Sequence, residues 1–245
     1  GGGGPPLPRP GGAPPPPRAG ARGGGGAGPA PPGGGGGAGP PPPTTRIGAV
    51  PGSPTAATVL GPWFEDVRDG DLAELTRKCW TQPPAEIGPM YGDAARIADA
   101  VLRPGETQVS GPYWESDAIR ITLSPSELRS AYGCPFVTDP GGRVLSDEQA
   151  RYTAERYLSR VVGDPVNPAD VEPDYPLLCS GAQLGTALSG IRRFEDKALT
   201  VGRGSATSAT VDVPVTGVDG AARRVALTLD DGVNGFCVSR AEPAG

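Results

Sequence analysis

Four cysteines, Cys79, Cys134, Cys179 and Cys237, carry the most decided chemistry in this 245-residue sequence. No two form a Cys-x-x-Cys pair, so neither a zinc clip nor a dithiol redox motif is present. The sequence has no histidine, which leaves these thiols without the usual partner base that activates a cysteine nucleophile. An even number of well-separated cysteines then reads as two disulfides. Disulfides in turn imply an oxidising, extracytoplasmic location, secreted or anchored to the cell envelope. Three pairings are open. Separations of 55 and 58 residues favour Cys79 with Cys134 and Cys179 with Cys237. In each of these pairs the first cysteine follows helical sequence and the second sits near the end of a strand-rich stretch. Loops of that size contribute about 4 kcal/mol each in the chain-entropy model.

The missing histidine also removes Ser-His and Cys-His nucleophile pairs and most zinc, copper and iron sites. Carboxylates are what remain for catalysis. Tyr113, Glu115 and Asp117 stand together in "GPYWESD", and Asp212 and Asp231 lie near strands. A carboxylate base needs a desolvated setting that raises its pKa. These five read better as structure: Asp212 alternates outward with Thr210, Asp231 is expected in a turn, and "YWESD" opens a strand after a turn. The run "FEDVRDGD" offers calcium the oxygens of Glu65, Asp66, Asp69 and Asp71, but its spacing is not that of an EF-hand loop, and Asp71 is needed as a helix cap. Trp63, Trp80 and Trp114 are expected in the core rather than along a ligand groove. No P-loop or dinucleotide glycine fingerprint sits between a strand and a helix. The sequence therefore assigns no catalytic, cofactor-binding or metal residue and no cofactor. With 27 acidic against 22 basic residues, and the basic ones scattered, it does not read as a nucleic-acid binder.

The glycines and prolines, 40 and 32 in number, concentrate at the start of the chain. Residues 1–54 are expected to form a disordered Gly/Pro-rich spacer, since from Gly1 to about Thr45 almost everything is Gly, Pro and Ala and no apolar group of size exists to offset chain entropy. "PPLPRP", Pro5 to Pro10, matches a ligand for a proline-recognition domain, a match that composition alone also produces. No run approaches about eighteen apolar residues, the length of a membrane-crossing helix. The sequence opens on glycine inside low-complexity sequence, so any signal peptide, lipid anchor or transmembrane helix is expected upstream of Gly1.

Two folded units are expected beyond the spacer, joined near "DPGGR". Residues 55–139 read as a helix-rich α+β unit. "TVLGPWFEDV" has apolar residues at helical spacing, Asp71 caps a second helix with Glu74 three residues on, and a third runs from Asp93 to Leu102. "AIRITL" then alternates as a strand before Ser124, Pro125 and Glu127 open a short helix. In residues 145–241, Ser146 and Gln149 form a capping box for a helix reaching Val162. It presents Ala150, Ala154, Tyr157, Leu158 and Val161 on one face. "AQLGTALSGI" reads as another helix, with Leu184, Leu188 and Ile191 inward. Strands follow at about Leu199–Val201, Ala209–Val215, Val225–Leu229 and Phe236–Ser239, with turns at "VDG" and "DDG". On that reading Cys237 faces the core and its disulfide fastens helix to sheet.

A capped helix followed by an antiparallel meander ending "DDGVNGFCVSRA" resembles extracytoplasmic domains of the nuclear-transport-factor-2-like superfamily, the cystatin-like cone. The resemblance covers about Leu145 to Ala241, with Phe236 where that family more often has tryptophan. It implies an α+β fold of helices on a curved antiparallel sheet, of the kind found in lipoproteins and membrane-anchored envelope proteins of high-GC Gram-positive bacteria. The first half is then either a divergent copy of that fold or a helical partner to it. Two functions are compatible with this. One is a non-enzymatic envelope domain, tethered by its spacer, that binds a protein, lipid or glycan and meets a membrane only through an upstream anchor. The alternative is a histidine-free isomerase or hydrolase of the cone type that uses a buried carboxylate.

Overall fold

Local caps and hydrophobic period account for most elements of the computed structural model, which describes residues 46–141 and 145–244. The expected spacer up to Thr45, "PPLPRP" within it, and residues 142–144 of the "DPGGR" joint lie outside the described residues. In the first half, α1 (Ala56–Asp69) buries Leu60, Trp63, Phe64 and Val67 on one face. It stops at Gly70, whose left-handed φ of 72° lets its N–H reach the carbonyls of Asp66 and Val67. Asp71 caps α2 (Leu72–Lys78) by accepting from the Glu74 N–H at 3.0 Å, so this residue is taken up as expected. Then come α3 (Pro84–Tyr91), absent from the sequence reading, and α4 (Ala94–Val101).

Strands β1 (Glu106–Gln108), β2 (Gly111–Glu115), β3 (Arg120–Thr122) and β4 (Phe136–Thr138) form an antiparallel sheet in chain order. Between β3 and β4 lies the single turn of α5 (Pro125–Leu128), capped by Ser124. One core gathers the helical residues around Trp114, Ile119, Ile121 and Leu123, and the Cys79–Cys134 disulfide is part of it.

The second half opens on α6 (Asp147–Val161), where the Ser146 side chain and the Gln149 backbone and side chain complete the expected capping box. Ten-residue and eleven-residue strands follow: β8 (Ser208–Gly217), β9 (Ala222–Gly232) and β10 (Gly235–Ala244). Their alternation puts Val211, Val213, Val225, Leu227, Leu229 and Val238 on the face that meets α6. β6 (Ile191–Phe194) and β7 (Thr200–Ser205) both pair with β8, one at each end, and β5 (Leu178–Gln183) adds to the far side of β10. The architecture is mixed α/β with antiparallel-rich sheets.

Three local expectations are corrected. "AQLGTALSGI" is not a helix: its first residues complete β5 and its last opens β6, with turns between. Gly181, Gly185 and Gly190 have positive φ values of 74°, 52° and 64°, which interrupt any helix there, so the i,i+4 spacing of its leucines is fortuitous. The last hairpin turns at Val233–Asn234 rather than "DDG", because Gly232 pairs with Gly235, and Asp231 is a β9 residue. Cys179 lies in β5, which runs parallel to β10, so the Cys179–Cys237 disulfide joins two neighbouring strands instead of helix to sheet. Cys237 sits between the buried Phe236 and Val238, and its side chain is directed to the face away from α6.

Candidate functional site

Polar groups gather where the two cores meet, and α6 supplies the first set. Tyr152, Arg156 and Arg160 recur every fourth residue, forming a stripe beside the apolar face of the helix. Tyr152 donates to the Trp80 carbonyl at 2.6 Å, and Arg156 to the Thr81 carbonyl at 3.4 Å. The same Arg156 grips Asp170 through two nitrogens at 2.5 and 3.1 Å. Arg160 bonds Asp170 as well and reaches Glu172 at 2.7 Å. Asp170 is 1% exposed and sits between two guanidiniums, the pairing a buried charge requires. Above this network the Arg156 guanidinium lies 5.2 Å from the Trp80 ring, which packs edge-on against Tyr175.

The first half contributes a second carboxylate. Glu127, on α5, accepts from the Thr81 hydroxyl at 2.6 Å and the Cys134 N–H at 3.0 Å. Gln82 donates to the Cys134 carbonyl at 3.3 Å, so both backbone groups of that cysteine are satisfied by side chains. Burial pushes the Glu127 carboxyl above its ordinary value; the hydrogen bonds from Thr81 and Cys134 and the Arg156 charge pull the other way. Burial also raises Tyr152 and Tyr175 to about 12, with the Glu127 charge adding to the effect at Tyr175. Asn234, from the last hairpin, accepts from the Ser126 N–H at 3.0 Å, and Arg129 donates to the Asp174 carbonyl at 3.0 Å.

Two abutting hollows of about 20 Å³ each lie in this junction, both lined by Thr81, Gln82, Phe136, Arg156, Leu177 and Asn234. Each has room for about one water and falls far below the several hundred Å³ of a metabolite pocket. Gln82 Oε1 is buried there with no hydrogen-bond partner among the described residues. No protein-family model, curated protein or solved structure matches the chain. The junction must be read from its own chemistry. Both of its buried carboxylates already accept hydrogen bonds from fixed donors, an arrangement suited to holding two cores in register.

The residues singled out from sequence do not come together. Tyr113 donates to Glu106 at 2.5 Å under the Arg120 guanidinium, and the Arg120 partnership holds Glu115 below its ordinary pKa. Asp117 is exposed beyond β2, and Asp212 is half-buried on the sheet face away from α6. Asp66 accepts from Lys78 at 2.7 Å and from the Tyr132 hydroxyl at 2.6 Å, while Glu65 and Asp69 are not joined to it. Among the described residues no group of three potential metal ligands converges. Trp63 and Trp114 are fully buried core residues, and Trp80 belongs to the junction. The space between α6 and its sheet is filled by Ala150, Ala154, Leu158 and the strand valines and leucines. The sequence reading missed Asp170, Arg156 and Arg160. The four-residue spacing of the arginines was a usable signal, whereas Asp170 sits in an irregular loop without one.

Proposed function

We propose that this protein is a non-enzymatic extracytoplasmic domain, displayed on its Gly/Pro-rich spacer at the cell envelope, that binds a partner through its surface. The observation that carries this reading is that all four cysteines are in disulfides, Cys79–Cys134 and Cys179–Cys237, the pairing favoured by their separations. No helix among the described residues is long and apolar enough to cross a membrane, so the reading places any anchor outside them. Kinship with the cystatin-like cone is part of the proposal, supported by a long capped helix lying on an antiparallel-rich sheet. In that fold an isomerase or hydrolase would need a buried carboxylate facing a tyrosine or a second acid inside the helix–sheet space. Here that space is packed with aliphatic side chains, which favours the binding role.

Thiol trapping in the native cells tests the compartment. Alkylation before reduction should modify none of the four cysteines, and alkylation after reduction should modify all four. Four thiols alkylated without reductant would overturn the assignment.

A further inference from the structure

The β8–β9 hairpin ends the six-stranded sheet in an unusual combination. Its tip presents Val218, an aliphatic residue 73% exposed, in the turn between the two strands. Four exposed arginines lie on the strands that flank it: Arg192 and Arg193 on β6, and Arg223 and Arg224 on β9. The neighbouring loop is stitched to the hairpin. Val218 N–H donates to the Gly190 carbonyl at 2.8 Å, and Arg223 donates to the Ser189 carbonyl at 2.6 Å. Across the sheet, Arg193 bonds the Thr216 hydroxyl at 3.2 Å, and Thr216 pairs with Ala222 at the foot of the other arginine pair. β6, β8 and β9 are adjacent, so the two arginine pairs stand about 10 Å apart, two strand spacings.

The charge here runs against the rest of the molecule. Residues 190–195 and 214–224, which make up this end, hold two acids, Asp219 at the tip and Glu195 just past β6, and Asp219 is occupied by the Ala221 N–H at 3.0 Å. Four arginines against two acids make this end +2 in a chain of −5, leaving −7 for everything else. The side chains of Arg192 and Arg224 make no hydrogen bond or ion pair among the described residues. Guanidiniums left unpaired beside an exposed valine contribute nothing evident to the fold.

We infer that this end of the sheet docks on an anionic phospholipid surface, with Val218 entering the boundary between headgroups and acyl chains and the arginines bonding lipid phosphates. The combination of side chains decides between partners. An exposed valine with guanidiniums on the flanking strands matches a bilayer interface, apolar beneath a layer of phosphates, whereas an acidic peptide or glycan engages the charges alone. Each arginine near such a surface contributes about 1 kcal/mol, so the contact is weak and reversible, and tethering raises its occupancy. The inference rests on the envelope reading above for its biological setting.

Sedimentation of the full chain with vesicles tests it, comparing phosphatidylcholine alone with a two-to-one mixture of phosphatidylcholine and phosphatidylglycerol. Binding is expected to the mixed vesicles only, weakening as salt rises. The double variant Arg192→Glu, Arg224→Glu should lose about tenfold or more in affinity, and Val218→Ser several-fold, with unchanged melting temperatures. Equal binding to both vesicle types, or variants that bind like the parent, would overturn the inference. So would retention on a soluble poly-glutamate peptide without vesicle binding, which would assign the surface to an acidic protein. Oxidised cysteines in cells together with absent vesicle binding would remove this inference and leave the envelope reading standing.

Discussion

Replacing Glu127 by glutamine and by alanine separates the two things this buried side chain does. A glutamine can keep both contacts: its Oε1 accepts the Cys134 N–H, and its amide donates to the Thr81 hydroxyl, which reverses its role. An alanine leaves both donors unpaired. The Cys134 N–H belongs to a residue only 2% exposed and is expected to cost about 1–3 kcal/mol, with about 1 kcal/mol more from the half-buried Thr81. Glu127→Ala should therefore be about 2–4 kcal/mol less stable than Glu127→Gln at neutral pH. The parent adds a pH dependence. Its folded-state pKa is raised above the ordinary value of 4.5, so the folded protein still holds this proton when the unfolded chain has released it. Within that window parental stability falls as pH rises, and above the folded value the loss is complete. The advantage of the glutamine variant should accordingly grow from near pH 4.5 upward and then level off. Urea unfolding at stepped pH, followed by tryptophan fluorescence with the disulfides intact, measures both quantities. Equal stability of the alanine and glutamine variants, or a glutamine advantage that does not change with pH, would refute the account of Glu127 as a desolvated, doubly bonded carboxylate.

Two further outcomes follow from the same geometry. Asp170→Ala strands the Arg156 guanidinium beside Arg160 and is expected to cost about 3–5 kcal/mol in urea unfolding. Arg151→Ala on the same helix, which loses only partly exposed pairs with Glu148 and Glu155, should cost less than about 1 kcal/mol. Under native conditions a small dithiol should reduce the half-buried Cys179–Cys237 bond before Cys79–Cys134, whose cysteines are 0% and 2% exposed. Alkylation with mass spectrometry would read the order, and Cys179→Ser with Cys237→Ser should cost about 2–5 kcal/mol.

What was legible in the sequence was what neighbouring residues decide among themselves. Asp71, Ser124 and Ser146 announced helix starts because a cap and its N–H partner lie three residues apart, and all three bonds form. Val211, Val213 and Val215 alternate because one face of β8 is covered, and that pattern needs no knowledge of what covers it. The failures have the opposite character. Leu184, Leu188 and Ile191 have helical spacing, yet flanking glycines in left-handed backbone take the chain through turns into β6. Helix α3 escaped notice because Gly88 and Pro89 lie inside it, and its stability comes from burying Ile87 and Tyr91 against the first core.

The junction was hidden for a deeper reason. Arg156 looks like an ordinary solvated helix charge until Asp170, Trp80 and Thr81 close around it from two separate places in the chain. Each is unremarkable in its own local context. Disulfide pairing lies between these extremes, since similar separations of 55 and 58 residues favoured the right partners while the strand setting of Cys179 was misread. A loop length reports which residues can meet, but the element on which they meet depends on backbone signs that only the glycines at 181, 185 and 190 carried. The buried polar groups then explain why two cores can share one chain without merging. Tyr152, Arg156 and Asn234 each cross the boundary to a backbone group that would otherwise be left unpaired, so a relative shift of the halves would break directional bonds as well as expose apolar area.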